Sequence, residues 1–127
     1  MFQKNSYTFF KNKSLIEIHG KDRFTFLQGI ISNDVYNLKN NTSIYSSILT
    51  PQGRFITDFF LSNYKDHFLI EICENEKDLI LKKFKMYKLR SEIELSVSKG
   101  KVYLISNNLE DILSNSIKDS FCFNDPR

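Results

Sequence analysis

Residues 43–62 read SIYSSILTPQGRFITDFFLS, and this stretch decides the fold. Apolar side chains recur with the period of a half-buried strand from Ile44 to Leu49 and again beyond Arg54. Between the two runs, Pro51 presets a turn dihedral and Gly53 can accept a positive φ. Ser43 to Thr50 and Arg54 to Ser62 are therefore expected to form a hairpin of two antiparallel strands. Asn63 to Asp66 reads as a second turn and His67 to Cys73 as a third strand.

Upstream, Ser14 to His19 has strand character, and Gly20 gives the backbone freedom to turn. A helix follows, with Asp22 at its positive end and Phe24, Leu27, Ile30 and Ile31 on one buried face, ending near Asn33. Leu38 to Thr42 is an asparagine-rich loop. Downstream, Asn75 is placed to cap a second helix whose buried stripe is Ile80, Phe84 and Tyr87. Lys82, Lys83, Lys85, Lys88 and Arg90 gather toward its end, where cations offset the helix dipole and where a solvated face is the ordinary reading. Glu92 to Ser98 and Val102 to Ser106 read as strands around a Lys99-Gly100 turn, and Asn108 to Ser116 as a last short helix. This order predicts an α+β fold, a mostly antiparallel sheet with helices packed on one face.

The 127 residues suit one α+β unit, and no stretch approaches the length of a membrane span. A net charge of +3 with 15 acidic residues interspersed gives no reason to expect nucleic-acid or membrane binding. Lysine outnumbers arginine 14 to 4 and alanine is absent. Such a composition fits an AT-rich genome, and it weakens any argument from a lysine or aromatic cluster alone. Cys73 and Cys122 are far apart with no histidine or second cysteine at metal-ligand spacing, so neither a disulfide framework nor a metal site is signalled. Idle thiols and no apolar leader in Met1 to Asn12 lead to a cytoplasmic location, or an equivalent matrix, as the expectation. Phe121, Cys122 and Phe123 form a fresh apolar patch followed by Asn124 to Arg127. That ending suggests a piece of a longer protein.

Taken together, the strand before Gly20, Phe26-Leu27-Gln28-Gly29, Ser32-Asn33-Asp34-Val35, Tyr45, Pro51-Gln52-Gly53-Arg54, Leu79 to Arg90 and the terminal Asp125-Pro126-Arg127 resemble the amino-terminal region of the YgfZ family. These are folate-binding relatives of the glycine-cleavage T-protein. The resemblance covers about Lys11 to Arg127. It implies the amino-terminal part of the T-protein/YgfZ-like folate-binding fold, with tetrahydrofolate or another reduced folate as cofactor. It also implies partners among iron-sulfur assembly or client proteins, including enzymes of tRNA modification. The family's Lys-Gly-Cys-Tyr-x-Gly-Gln-Glu signature is absent from these residues.

The site residues implied are Tyr45, matching a tyrosine that lines the pterin pocket, with Asn33, Asp34, Gln28, Arg54 and Thr57. For all but Thr57 there is a plainer role: a strand aromatic for Tyr45, a helix-stop turn for Asn33 and Asp34, helix-to-sheet packing for Gln28 and the adjacent Gly29, and an exposed hairpin corner for Arg54. Aminomethyltransferases of the superfamily carry two adjacent aspartates that correspond here to Thr57-Asp58. A threonine lacks the carboxylate that methylene transfer uses, and Asp58 alternates to the opposite face of its strand. No catalytic or metal-binding residue is expected, and His19 and His67 have no partner acid in sequence reach. The leading expectation is thus a YgfZ-like accessory protein supplying one wall of a folate pocket. A folate-dependent aminomethyltransferase, and a truncated partner-binding module using Lys82, Lys83 and Lys85, are the alternatives.

Overall fold

The computed structural model describes residues 7–9 and 11–105. The strands are β1 (Tyr7–Phe9), β2 (Lys13–His19), β3 (Thr42–Leu49), β4 (Phe55–Tyr64), β5 (His67–Cys73), β6 (Glu94–Val97) and β7 (Tyr103–Ile105), and the helices are α1 (Arg23–Gln28) and α2 (Lys77–Lys88). Five strands form one antiparallel sheet in the order β3-β4-β5-β2-β6, as the hairpin reading requires. β1 and β7 pair separately. β1 was not foreseen, and the expected helix at Asn108 to Ser116 lies outside the described residues, as does the patch at Phe121 to Phe123.

Period-2 alternation gives the sheet two unlike faces. Ile16, Ile18, Ile48, Phe59, Leu61, Phe68, Ile70 and Ile72 face inward and share a buried cluster with Phe26 and Leu27 of α1 and Ile80 and Phe84 of α2. Phe24 meets Phe68 edge-on at 4.8 Å, and Phe26 meets Phe84 at 5.6 Å and 83°, geometries that suit the ring quadrupoles. The opposite, open face carries Glu17, His19, Tyr45, Asp58, Phe60, His67 and Leu69, none of them fully buried.

The hairpin turn is as read: Gly53 sits at φ +86°, and its N–H donates to the Thr50 carbonyl at 2.9 Å. A register shift at Ile48/Leu49 adds a residue on the β4 side, so β4 begins at Phe55. The second turn is tighter than expected, Lys65-Asp66 with Lys65 at φ +58°, and β4 runs through Asn63 to Tyr64. Asn63 is buried and its amide donates to the Leu38 carbonyl at 3.2 Å, which keeps it in the sheet and anchors the preceding loop.

Two helix boundaries differ from expectation, each for a local reason. α1 stops at Gln28 because the next residues leave for β3: Ser32 N–H donates to the Ser47 carbonyl at 2.9 Å and Leu49 N–H to the Ile30 carbonyl at 3.3 Å. This cover blunts the outer side of β3, which would otherwise present unpaired backbone groups. Asn75 does not cap α2. Glu74–Glu76 form a 3-10 turn, held by Glu74 N–H on the Asn12 carbonyl at 2.8 Å and by Lys77 Nζ on the Glu74 carboxylate at 2.8 Å, and the helix starts at Lys77. Of the expected basic face, Lys88 is committed to the Ile93 carbonyl at 3.1 Å.

Candidate functional site

The end of α1 and the outer side of β3 bring four of the expected site residues together. Asn33 donates its side-chain amide to the Tyr45 carbonyl at 3.0 Å and accepts the Asp34 N–H at 2.7 Å. Asp34 in turn accepts Tyr36 N–H at 2.9 Å, capping the 3-10 turn Val35–Asn37. Gln28 accepts Val35 N–H at 2.8 Å, so its carbonyl clamps the same loop. These bonds make Asn33, Asp34 and Gln28 a frame for Tyr45, in keeping with the turn reading. Gly29 has φ −79° and room for a Cβ, with the Phe26 carbonyl oxygen 3.7 Å away. Close packing between helix and sheet is not its role.

Tyr45 itself lies half-buried on the open face, tilted against Phe60 of the neighbouring strand at 5.6 Å. Its hydroxyl donates to the Asp58 carboxylate, two residues along β4 from its direct partner Phe60. A flat ring beside a carboxylate is a suitable surface for a flat heterocycle bearing N–H donors. In the sequence, Asp58 is set aside as a stand-in for the missing carboxylate because it alternates to the face opposite Thr57; the register of β4 with β3 puts that face beside Tyr45.

Two expected residues lie elsewhere. Thr57 is 4% exposed, pointing into the helix-covered core opposite Ile48. Arg54 is exposed at the hairpin tip opposite Thr50, five strand positions from Tyr45 and about 17 Å away at the rise of a strand. Clefts of about 560 and 450 Å³ occur at α2 against β6 and at His19 against Glu94, away from Tyr45.

The open face also corrects the reading of the two histidines. Glu17 Oε1 lies 2.8 Å from His19 Nε2 and 3.8 Å from His67 Nε2, and the two imidazoles stack at 4.4 Å and 16°. The acid that sequence proximity did not identify with His67 comes from β2, paired in the fold with β5. The hydrogen bond from His19 holds the Glu17 carboxyl below its ordinary value, against an opposing push from burial; Ser98 and the charge of His67 also lower it.

The fold resembles the T-protein class. The glycine cleavage system aminomethyltransferase T of Bartonella henselae superposes with a TM-score of 0.74 at 15% sequence identity, over 87% of this chain and 31% of that one. This shows the aminomethyltransferase T-protein fold and not its activity.

In sequence, the chain is similar to proteins named iron-sulfur cluster assembly factor IBA57 homolog, mitochondrial. That of Pyricularia oryzae is 33% identical over 93 residues, covering 70% of this chain and 24% of the relative. The Neurospora crassa protein is 34% identical over 93 residues, 68% of this chain and 21% of the relative. The Dictyostelium discoideum protein is 28% identical over 111 residues, 67% of this chain and 27% of the relative. The chain thus spans about a quarter of the length of these curated relatives. No family model matches it. The expected cytoplasmic location is corrected by these comparisons, since the relatives are named as mitochondrial. Among the described residues, no helix is long and apolar enough to cross a membrane.

Proposed function

We propose that this chain is the amino-terminal portion, one α+β unit, of a YgfZ-like tetrahydrofolate-binding accessory protein that works in mitochondrial iron-sulfur cluster assembly or repair. The observation that carries this reading is its 33% identity over 93 residues to a protein named as an iron-sulfur cluster assembly factor. The clients would include iron-sulfur enzymes that modify tRNA. Tyr45 would present its ring to the pterin, with Asp58 accepting from the heterocycle's N–H groups and Asn33, Asp34 and Gln28 holding the wall in place. Arg54 and Thr57, away from that wall, would take no direct part in it. The segment makes no bonds by itself, because the position that corresponds to the first transfer aspartate is Thr57, which has no carboxylate and is buried under the helices. One wall leaves ligand surface in water, so the isolated chain binds weakly and the longer protein tightly.

The test is calorimetric titration of the full-length gene product with tetrahydrofolate, alongside the activity of mitochondrial iron-sulfur enzymes in cells depleted of it. Saturable folate binding together with loss and rescue of those activities is expected. Absence of any reduced-folate affinity would sink the cofactor half of the proposal, and unchanged client activity the assembly half. The shared fold keeps one alternative, a folate-dependent aminomethyltransferase, and folate-dependent release of formaldehyde by the purified protein would decide for it.

A further inference from the structure

Three strands from Tyr45, about 14 Å across the sheet, the open face holds a donor set that the folate reading does not use. Glu17 and His19 alternate onto this face from β2, and His67 begins β5 beside them. One donor atom from each of the three lies within 4.8 Å of the others. A cation bound at about 2.0–2.2 Å spaces neighbouring ligand atoms by about 3–3.5 Å. The observed 2.8 Å and 3.8 Å from Glu17 Oε1 to the two Nε2 atoms bracket that spacing.

The surroundings suit the same role. Nδ1 of His67 is buried without a hydrogen-bond partner and lies 3.6 Å from the Asp66 carboxylate. A small closure would complete the carboxylate-to-histidine contact that orients metal-ligating imidazoles and leaves Nε2 toward the ion. On β6, Glu94 stands in register with His19 on the same face of the sheet. Two imidazoles with carboxylate oxygen select borderline cations over magnesium or calcium.

We propose that Glu17, His19 and His67 bind one divalent cation of the zinc class, with Glu94 as an additional oxygen donor. An ion lies in the plane of each imidazole that holds it, so binding turns one ring out of the stack. His19, with a side chain 40% exposed against 14% for His67, has the room to turn.

The test uses the full 127-residue chain, stripped with a chelator, titrated calorimetrically with Zn²⁺ and followed with Co²⁺ by visible absorption. One equivalent should bind, and His67→Gln and Glu17→Gln should each weaken binding at least tenfold, while Cys73→Ser leaves it unchanged. No saturable binding, binding that survives both variants, or binding lost with Cys73→Ser overturns the proposal. Should a variant lose its fold by circular dichroism, the wild-type chain still decides. Co²⁺ should broaden or shift the His19 and His67 ring signals first in NMR spectra, and paramagnetic effects centred elsewhere overturn the site.

Discussion

The Asp22 carboxylate accepts the backbone N–H of Glu92 at 2.8 Å, and the Asp22 N–H donates to the Glu92 carbonyl at 3.3 Å. These two bonds fasten the start of α1 to the approach to β6. Gly20, at φ +116°, packs against the same segment: a Cβ there would fall inside contact distance of the Glu92 carbonyl oxygen and 2.8 Å from Ile93 Cα. Gly20→Ala combines backbone strain with a clash against main chain, and should cost about 3 kcal/mol or more. Asp22→Ala, which leaves one N–H without its partner, should cost about 1–2 kcal/mol. Urea denaturation of both variants checks the order; equal losses would contradict it.

Leu89 offers the opposite sign. It ends α2 at φ 43° and ψ −107° and is 83% exposed, so its side chain gains little from burial while its backbone sits where glycine is favoured. Leu89→Gly should stabilise by about 1 kcal/mol, read as a higher denaturation midpoint with an unchanged slope.

Core burial distinguishes two apolar residues of α2. Phe84 is fully buried against Phe26, whereas Met86 is 58% exposed. Phe84→Ala should cost about 3–5 kcal/mol and Met86→Ala under about 0.5 kcal/mol. Thermal melts of the two variants measure the contrast.

At the proposed folate wall, Tyr45→Ala in the full-length protein should lower tetrahydrofolate affinity about tenfold or more, and Asp58→Asn should lower it with the fold intact. Arg54→Ala, at the hairpin tip, should leave affinity within about twofold, since one exposed side chain away from the pocket contributes little. Calorimetry with circular dichroism as a control is the measurement, and a greater loss from Arg54→Ala than from Tyr45→Ala would relocate the pocket.

In chelator-treated protein, the Glu17 carboxyl should titrate below its ordinary value of 4.5, and His19→Gln should return it upward, followed by NMR of the carboxyl carbon. The charged groups bearing on it are His19 and His67, with Ser98 as a further hydrogen-bond donor. A folded-state pKa below the unfolded one stabilises above the unfolded value, and that stabilisation fades as pH falls through the folded value. Glu17→Gln should therefore cost stability above the ordinary value of 4.5, and the cost should shrink as pH falls through the lowered folded-state value.

The hairpin and β5 were legible because alternation and turn residues are local signals, and β5 falls on His67–Cys73 as read. The helix limits were less so. Ile30 and Ile31 keep helical spacing in the sequence, yet Ile30 to Ser32 bond to β3, a tertiary competitor invisible to periodicity. Asn75 has the chemistry of a cap, but Glu74 is already fixed to Asn12 and the 3-10 turn it starts moves the helix entry one residue later. The same limit governs the sites. Tyr45 is singled out by motif, while its contact with Asp58 and the meeting of Glu17 with His67 depend on strand register, which no single segment carries.

The strand order has a consequence for biosynthesis. β2 is made early but lies between β5 and β6, so its ladder is complete only once Val97 has been made. At about 5–20 residues per second, the ribosome exposes Leu15, Ile16 and Ile18 for several seconds before their last neighbour arrives. A nascent chain stalled ahead of β6 would offer that unfinished ladder to chaperones, and one released beyond it would not.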